Sequence, residues 1–279
     1  MQSKRARWQA AAEAFGPMRC MTCGQPMTLQ AGVLRCGSGH TRDVNRKGYV
    51  NALRRAHPSC YDQTLFEARR TVFQAGCYAP VLEALDDMLG EDPHTLLDAG
   101  CGEGYYLAEL LGRHPDWQGA GVDLSREAIE QATDWPCCAL WCVADLGALP
   151  FPDGAFTAVL DVLTPANYRE FHRVLRPGGR LIKVFPGEHY LQEIRQARGM
   201  PLYAPGEVGD YLSSHCRLTA EQRVTETFAL SPALWRAFVW MTPLNQDLSP
   251  EEKEMLAQQC PASITVDLHV ACGTFAADA

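Results

Sequence analysis

Three thiols and an imidazole cluster near the start of the chain. They are Cys20, Cys23, Cys36 and His40, spaced C-x2-C-x12-C-x3-H. Thiolates and imidazole at this spacing suit one tetrahedral Zn²⁺. The C-x2-C pair makes a tight knuckle, and a hairpin through Thr28–Gln30 and Val33–Arg35 returns a second knuckle carrying Cys36 and His40. Four protein ligands fill the coordination shell, so the expected metal is structural. So short a segment buries little core, and metal binding would supply its folding energy. The other cysteines (Cys60, Cys77, Cys101, Cys137, Cys138, Cys142, Cys216, Cys260 and Cys272) share no such order and read as small core hydrophobes.

A second set of residues recurs at the ends of apolar runs. Asp98-Ala-Gly100-Cys-Gly102-Glu103-Gly104 follows the first run, Asp123-Leu124 the second and Asp145-Leu146 the third. A dinucleotide fingerprint is G-x-G-x-x-G, with the pyrophosphate at a helix N-terminus. Here the third glycine comes one residue early, and Glu103 would set negative charge beside the phosphates. A backbone that allows close approach, with acid on both sides, suits a cationic ligand without phosphate: S-adenosylmethionine. Asp123 would accept hydrogen bonds from the ribose hydroxyls, a device shared with NAD enzymes. Asp145 would accept from the adenine amino group, with Leu146 against the ring. Tyr106 and Leu124 adjoin these turns and complete the expected cofactor site.

Such residues need a scaffold that brings strand ends together. Thr95–Ala99, Gly119–Leu124, Leu140–Ala144, Phe156–Leu163 and Arg180–Phe185 read as strands. Between or after them, Tyr105–Arg113, a segment from the N-cap Ser125 to Trp135, Asn167–Leu175 and Glu188–Arg198 read as helices. This alternation predicts an α/β fold with a parallel sheet, whose ligands sit at the carboxyl ends of the strands. Arg217–Leu230 and Ser263–Phe275 would close a seven-stranded sheet as antiparallel strands. Ser231–Leu244, with Trp235, Phe238 and Trp240, reads as a helix between them.

Composition fits a soluble globular protein, with 47% hydrophobic and 21% charged residues in 279. No apolar run approaches the roughly 20 residues of a membrane span. The opening MQSKRARWQAAAEAF reads as a short amphipathic helix and not as an export signal, so a cytoplasmic location and reduced thiols are expected. The net charge of −8 conceals an asymmetry. Ten Lys/Arg against Glu13 and Asp43 leave residues 1–60 at +8 and the remainder at −16. A basic head suggests a polyanionic partner; a merely solvated charged face is the alternative.

Taken together, these motifs resemble the RlmA family of 23S ribosomal RNA guanine-N1 methyltransferases. The resemblance runs through the zinc knuckles, Asp43–Leu53 (DVNRKGYVNAL), Ala68-Arg-Arg, Ala75-Gly76 and Tyr78. It continues through Leu97–Tyr106, Leu160–Leu175 (LDVLTPANYREFHRVL) and Met241-Thr-Pro243. It implies a Rossmann-like class I methyltransferase of seven strands with a small zinc-binding domain in front. The expected division is 1–58 for the N-terminal helix and zinc module and 59–279 for the methyltransferase domain, with residues 57–68 as linker. The Thr164-Pro-Ala-Asn167 form resembles the Gram-positive branch, which implies guanosine 748 of hairpin 35 over 745 and a link to macrolide resistance. The implied partner is a 23S rRNA hairpin, with no membrane; a homodimer is a further expectation.

In that setting Arg46, Lys47, Arg54 and Arg55 would meet RNA phosphates. Tyr49 would stack on a base or sugar, or else pack between the two domains. Guanine N1 is protonated at neutral pH and must lose that proton, and the base must leave its stack. Asp161 is the candidate base and Asn167 the candidate for holding a guanine edge; alternatively Asp161 faces the fold and positions a loop. Two rival functions remain open: a methyltransferase for another substrate, and a non-catalytic RNA-binding protein.

Overall fold

The computed structural model describes residues 2–53, 63–92, 94–204 and 206–276. The N-terminal segment holds α1 (Lys4–Phe15), β1 (Met18–Arg19), β2 (Pro26–Gln30), β3 (Val33–Cys36), β4 (Thr41–Asp43) and β5 (Val50–Asn51). The central elements are α2 (Gln63–Gln74), α3 (Ala79–Leu89), β6 (Thr95–Ala99), α4 (Tyr105–Arg113), β7 (Gln118–Asp123), α5 (Arg126–Ala132), β8 (Ala139–Val143), β9 (Phe156–Val162) and α6 (Tyr168–Val174). The chain ends with β10 (Leu175–Pro186), α7 (Gln192–Ala197), α8 (Gly206–His215), β11 (Arg217–Ala229), α9 (Pro232–Met241), α10 (Pro250–Ala257) and β12 (Ser263–Thr274).

Eight strands form one sheet in the order β11-β12-β10-β9-β6-β7-β8-β5. The strands from β10 to β5 run parallel, and β12 and β11 close the other side antiparallel. Their apolar runs explain why: β8 and β9 are buried at every position, as strands covered on both faces must be. The expected seven strands are thus present, and the two-residue β5 adds an eighth by pairing with β8.

A second sheet, β1-β2-β3-β4, is antiparallel and small. The N-terminal segment is shared between the two sheets. Helix α1 packs against β7 and β8 of the large one. Trp8 is 1% exposed, and its Nε1 donates to the Trp141 carbonyl at 3.1 Å. Ser3 caps the helix by accepting from the Ala6 N–H, and Gly16, at φ 83°, ends it. Arg7 donates to the carbonyls of Thr133 and Trp135. The small sheet is tied to the body at β1, where the Arg19 N–H donates to the Pro150 carbonyl at 2.9 Å.

Several boundaries differ from expectation by three residues or more. The helix after Ser125 stops at Ala132 rather than Trp135, and the helix expected from Glu188 begins at Gln192. The linker expected over 57–68 is helical from Gln63. Of the other cysteines, Cys77, Cys101, Cys142, Cys216 and Cys272 are core residues, whereas Cys137 and Cys260 are half-buried and Cys138 is exposed. Cys60 lies outside the described residues. Among the described residues no helix is long and apolar enough to cross a membrane.

Candidate active site and metal centre

Cys20 and Cys23 flank the turn after β1, Cys36 ends β3 and His40 precedes β4. Antiparallel pairing of β1 with β2 and of β2 with β3 folds the two knuckles onto each other. Each knuckle is closed by its own backbone: Gly24 N–H donates to the Cys20 carbonyl and Gly39 N–H to that of Cys36. Cys23 Sγ lies 3.7 Å from Cys36 Sγ, while His40 Nδ1 lies 3.7 Å from Cys20 Sγ and 3.4 Å from Cys36 Sγ. All four ligand atoms fall within 4.8 Å of one another. A tetrahedron with metal–sulfur arms of about 2.3 Å has edges of about 3.7 Å. The donor set and its spacing therefore fit Zn²⁺, and the sulfurs stand too far apart for a disulfide of about 2.0 Å. Burial raises the Cys20 thiol, but the N–H groups of Cys23 and Thr22 outweigh it and bring the thiol down to about 6.

The other candidate site lies at the carboxyl ends of β6 and β7. The N–H groups of Gly100 and Cys101 both donate to the Val122 carbonyl, which pins the glycine turn to β7. Gly100 has φ 76°, and a Cβ there would come within 2.6 Å of Thr164 Oγ1. Gly104, at φ 77°, starts α4, and a Cβ there would strike the Trp141 ring at 2.5 Å. The first glycine permits loop-to-loop approach and the last permits helix-to-sheet packing.

Three carboxyl groups crowd this turn. Asp98 is buried, and its Oδ2 has no hydrogen-bond partner among the described residues. Burial, with Asp123 and Glu103 as like charges, pushes it up to about 7. Burial also raises Glu103 and Asp123. Asp123 is partly compensated: its Oδ1 accepts from the Ser125 N–H at 2.7 Å and its Oδ2 from the Gly102 N–H at 2.9 Å. Arg69 of α2 is the opposing cation, its Nε 3.6 Å from the buried Glu103 carboxylate. Unpaired acid oxygens in a dry turn favour a ligand that brings positive charge.

Above the turn is a cavity of about 360 Å³, within the range of small-molecule sites. Gly100, Tyr106 and Asp123 line it together with Arg69 and Phe73 of α2. Its other side is built by Tyr190, Arg195, Tyr203 and the Met241–Leu244 segment after α9. The hydroxyls of Tyr78 and Tyr190 meet across it at 2.7 Å. Leu163, which lines the cavity, and the buried Leu191 beside Tyr190 have φ of 54° and 51°. Leucine rarely holds this conformation, and such strain tends to gather at ligand sites.

The cavity thus brings together three of the expected cofactor residues, with Asp98 beneath and Gly102 under the Arg69 guanidinium. Leu124, Asp145 and Leu146 stand at neighbouring strand ends, outside the cavity lining. Asp145 is exposed, its Oδ1 accepting from the Gly147 N–H.

Other expectations need correction. Asp161 is 0% exposed and does not line the cavity; its Oδ2 forms a 2.7 Å ion pair with Lys183, and its Oδ1 has no hydrogen-bond partner among the described residues. Asn167 caps α6, its Oδ1 accepting from the Glu170 N–H, and it too lies off the cavity. Tyr49 is 3% exposed, with its hydroxyl on Glu130 at 3.1 Å, so it packs between N-terminal segment and body instead of offering a ring face. Lys47 is exposed and pairs with Glu130 at 2.6 Å, and Arg46 is exposed. Arg54 and Arg55 lie outside the described residues.

The cavity also holds residues to which sequence reasoning gave no role: Arg69, Tyr78, Thr164, Tyr190 and Arg195. Arg69 and Tyr78 fall in segments that carry the resemblance. Nothing in their spacing ties them to a glycine turn more than 20 residues further on.

Fold and cavity together define a class I S-adenosylmethionine-dependent methyltransferase. Residues 96–179 match the family model described as "Methyltransferase domain". A solved chain from the complex between the Haloferax volcanii Trm112 methyltransferase activator and a methyltransferase superposes with a TM-score of 0.52. It is 17% identical and covers 78% of this chain and 100% of its own, a likeness of fold. Closer relatives narrow the class. The 23S rRNA (guanine(748)-N(1))-methyltransferase of Streptomyces fradiae is 33% identical over 91% of this chain and 94% of its own. A Bacillus subtilis (strain 168) protein, YxjB, whose name places it among the 23S rRNA (guanine-N(1)-)-methyltransferases, is 34% identical over 93% of this chain and 97% of its own. The chain belongs to the family of 23S rRNA (guanine-N1)-methyltransferases.

Proposed function

We propose that this protein methylates N1 of a guanosine in a 23S rRNA hairpin, at nucleotide 748 of hairpin 35, in the cytoplasm. The observation that carries the proposal is the acid-lined cavity at the carboxyl ends of β6 and β7, in a chain that matches the Streptomyces fradiae enzyme over nearly its full length. S-adenosylmethionine, when bound, supplies an electrophilic methyl group on a sulfonium.

The chain's own residues have distinct tasks in this reading. Asp98 and the glycine turn Gly100–Gly104 receive the cationic amino-acid end, and Arg69 offers its guanidinium to the carboxylate. Asp123 is already held by two N–H groups, so its remaining lone pairs point at the ribose. Tyr106 walls the same end. Leu124, Asp145 and Leu146 extend the site towards the adenine. The target base, unstacked from its hairpin, enters from the side of Tyr190, Tyr203 and Pro243. Closure of this cavity excludes water and holds N1 in line with the methyl.

Cys20, Cys23, Cys36 and His40 hold a structural Zn²⁺ in the same proposal, and the sheet it stabilises carries part of the basic head. Arg46 and Lys47, with Arg54 and Arg55, contribute phosphate contacts to RNA binding.

Methylation at N1 blocks the Watson–Crick edge and halts reverse transcription. Primer extension across hairpin 35, on 23S RNA from cells with and without this gene, tests the proposal. A stop at 748 that disappears on deletion supports it; identical ladders in both strains reject it.

A further inference from the structure

Arg195 presents an energetic puzzle. It sits on α7, is 8% exposed and lines the cavity. Its Nη1 donates to the Pro201 carbonyl at 3.2 Å, its Cζ lies 5.5 Å from the centre of the Tyr203 ring, and its Nε is buried without a hydrogen-bond partner. Among the described residues no carboxylate pairs with it. Buried guanidinium groups are costly unless an anion meets them. Arg69, the other arginine in the cavity, has Glu103. The nearest acid in sequence, Glu193, is turned away and spends its carboxylate on the Thr265 N–H and hydroxyl.

The titratable groups around Arg195 are Tyr203 beneath it and Tyr190, which also feels the charge of Arg69. Burial holds Tyr190 above its ordinary value, so it stays neutral at pH 7. Among the described residues, the target end of the cavity therefore offers the Arg195 guanidinium, the Tyr190 and Tyr203 rings and no carboxylate or imidazole, with Asp161 paired to Lys183 outside the lining.

We infer that Arg195 is a catalytic residue that lowers the cost of deprotonating guanine N1 by donating to O6 of the flipped base. This inference rests on the proposed reaction. Loss of the N1 proton leaves an anion shared between N1 and O6. A guanidinium on O6 stabilises that anion without itself taking the proton. The proton passes to water. The freed N1 pair forms the N1–CH₃ bond, the C–S bond breaks and its electrons stay on sulfur. The products are 1-methylguanosine, S-adenosylhomocysteine and one proton. Fixed donors aimed at developing charge are typically the largest single contribution to such rates.

The test is single-turnover methylation of a hairpin 35 transcript by full-length Arg195→Gln, Arg195→Lys and Arg195→Ala across pH 6–10. Wild-type product is first identified as 1-methylguanosine. If wild type makes none, the functional proposal fails and this inference falls with it. If it does, Arg195→Gln is expected to slow the step about 10²–10³-fold at pH 7. Its rate should climb with pH well past the point where wild type levels off, because hydroxide replaces what the cation provided. Added guanidinium should partly restore Arg195→Ala. Binding of S-adenosylhomocysteine should be unchanged in all three variants, which reports that the cavity is folded; if Gln and Ala fail that check, Arg195→Lys carries the test through its smaller pH displacement. A variant with the wild-type pH profile and no rescue overturns the inference. So does a variant whose defect lies in RNA affinity, with a salt slope lower by about one, since Arg195 would then be a phosphate clamp.

Discussion

Lys183 Nζ lies 2.7 Å from Asp161 Oδ2 and donates as well to the Thr164 carbonyl at 3.1 Å. The two residues are paired neighbours on the parallel strands β10 and β9. Their ion pair ties the sheet to the loop whose Thr164 hydroxyl faces Gly100 across the mouth of the glycine turn. In this arrangement Asp161 connects to the site through Lys183 and the Thr164 carbonyl.

Breaking this pair from one side leaves a buried charge uncompensated. Asp161→Ala should destabilise the fold by about 3–5 kcal/mol. The double variant Asp161→Ala with Lys183→Met should recover much of that loss in denaturant titration. A single variant of wild-type stability that nevertheless abolishes methyl transfer would return Asp161 to the list of reacting groups.

The small sheet that carries the four candidate metal ligands and the methyltransferase body should respond separately to metal loss. Purified protein should contain about one zinc per chain, and Cys20→Ser with Cys23→Ser should contain none. RNA affinity should fall in that variant. Binding of S-adenosylhomocysteine should persist, because α1 and β5 belong to the body's own sheet layer. Unchanged zinc content would move the metal elsewhere.

Trp8 makes the N-terminal helix part of the body. Its ring is fully enclosed against β7 and β8, so Trp8→Ala should cost about 3–5 kcal/mol, read as a lower unfolding midpoint of the methyltransferase body. A midpoint within error of wild type would mean that α1 is an appendage.

How much of this was legible in the chain follows from which interactions are local. Apolar runs and the glycine turn bound β6 and α4 to the residue. The four metal ligands were legible because two short-range knuckles enclose them. The placement of α1 was not: its burial depends on Trp141, more than 130 residues away, and a 12-residue helix with a basic start reads the same whether it packs on a sheet or stands free. For Tyr49 the sequence leaves stacking on RNA and packing between the domains both open, since Glu130 is invisible at a distance of 81 positions, and the structure has the packed arrangement. The cavity's two arginines come from α2 and α7, elements on either side of the parallel strands, and no periodicity links them. Asp161 occupies the kind of strand-end position where acids often act, and only the register with Lys183 shows the ion pair that one of its oxygens makes.

Asp98 should make S-adenosylmethionine binding depend on pH. Its carboxyl is pushed up to about 7, mainly by burial, so in the free fold it holds its proton well above the range where an unfolded chain releases it. Two consequences have opposite signs. Its contribution to folding stability is present below the unfolded value near 4 and is lost as pH rises through about 7. Affinity for a cationic ligand rises over the same interval, because the ligand selects the ionised form. Calorimetry with S-adenosylmethionine should show affinity climbing between pH 6 and 8, by at most about tenfold per unit, and Asp98→Asn should flatten that slope. Equal slopes in both proteins would place the ligand's positive charge away from Asp98.

The proposed reaction takes place at one atom of one nucleotide, and it is read most directly by nucleoside mass spectrometry of the product. Purified protein, S-adenosylmethionine with a labelled methyl group and a hairpin 35 transcript are combined, and the RNA is digested and mapped. The label should appear as 1-methylguanosine in the fragment containing nucleotide 748 and should vanish when that guanosine is replaced by adenosine. Label on another atom or nucleotide, or none on either the transcript or 23S RNA in assembled large subunits, would contradict the account.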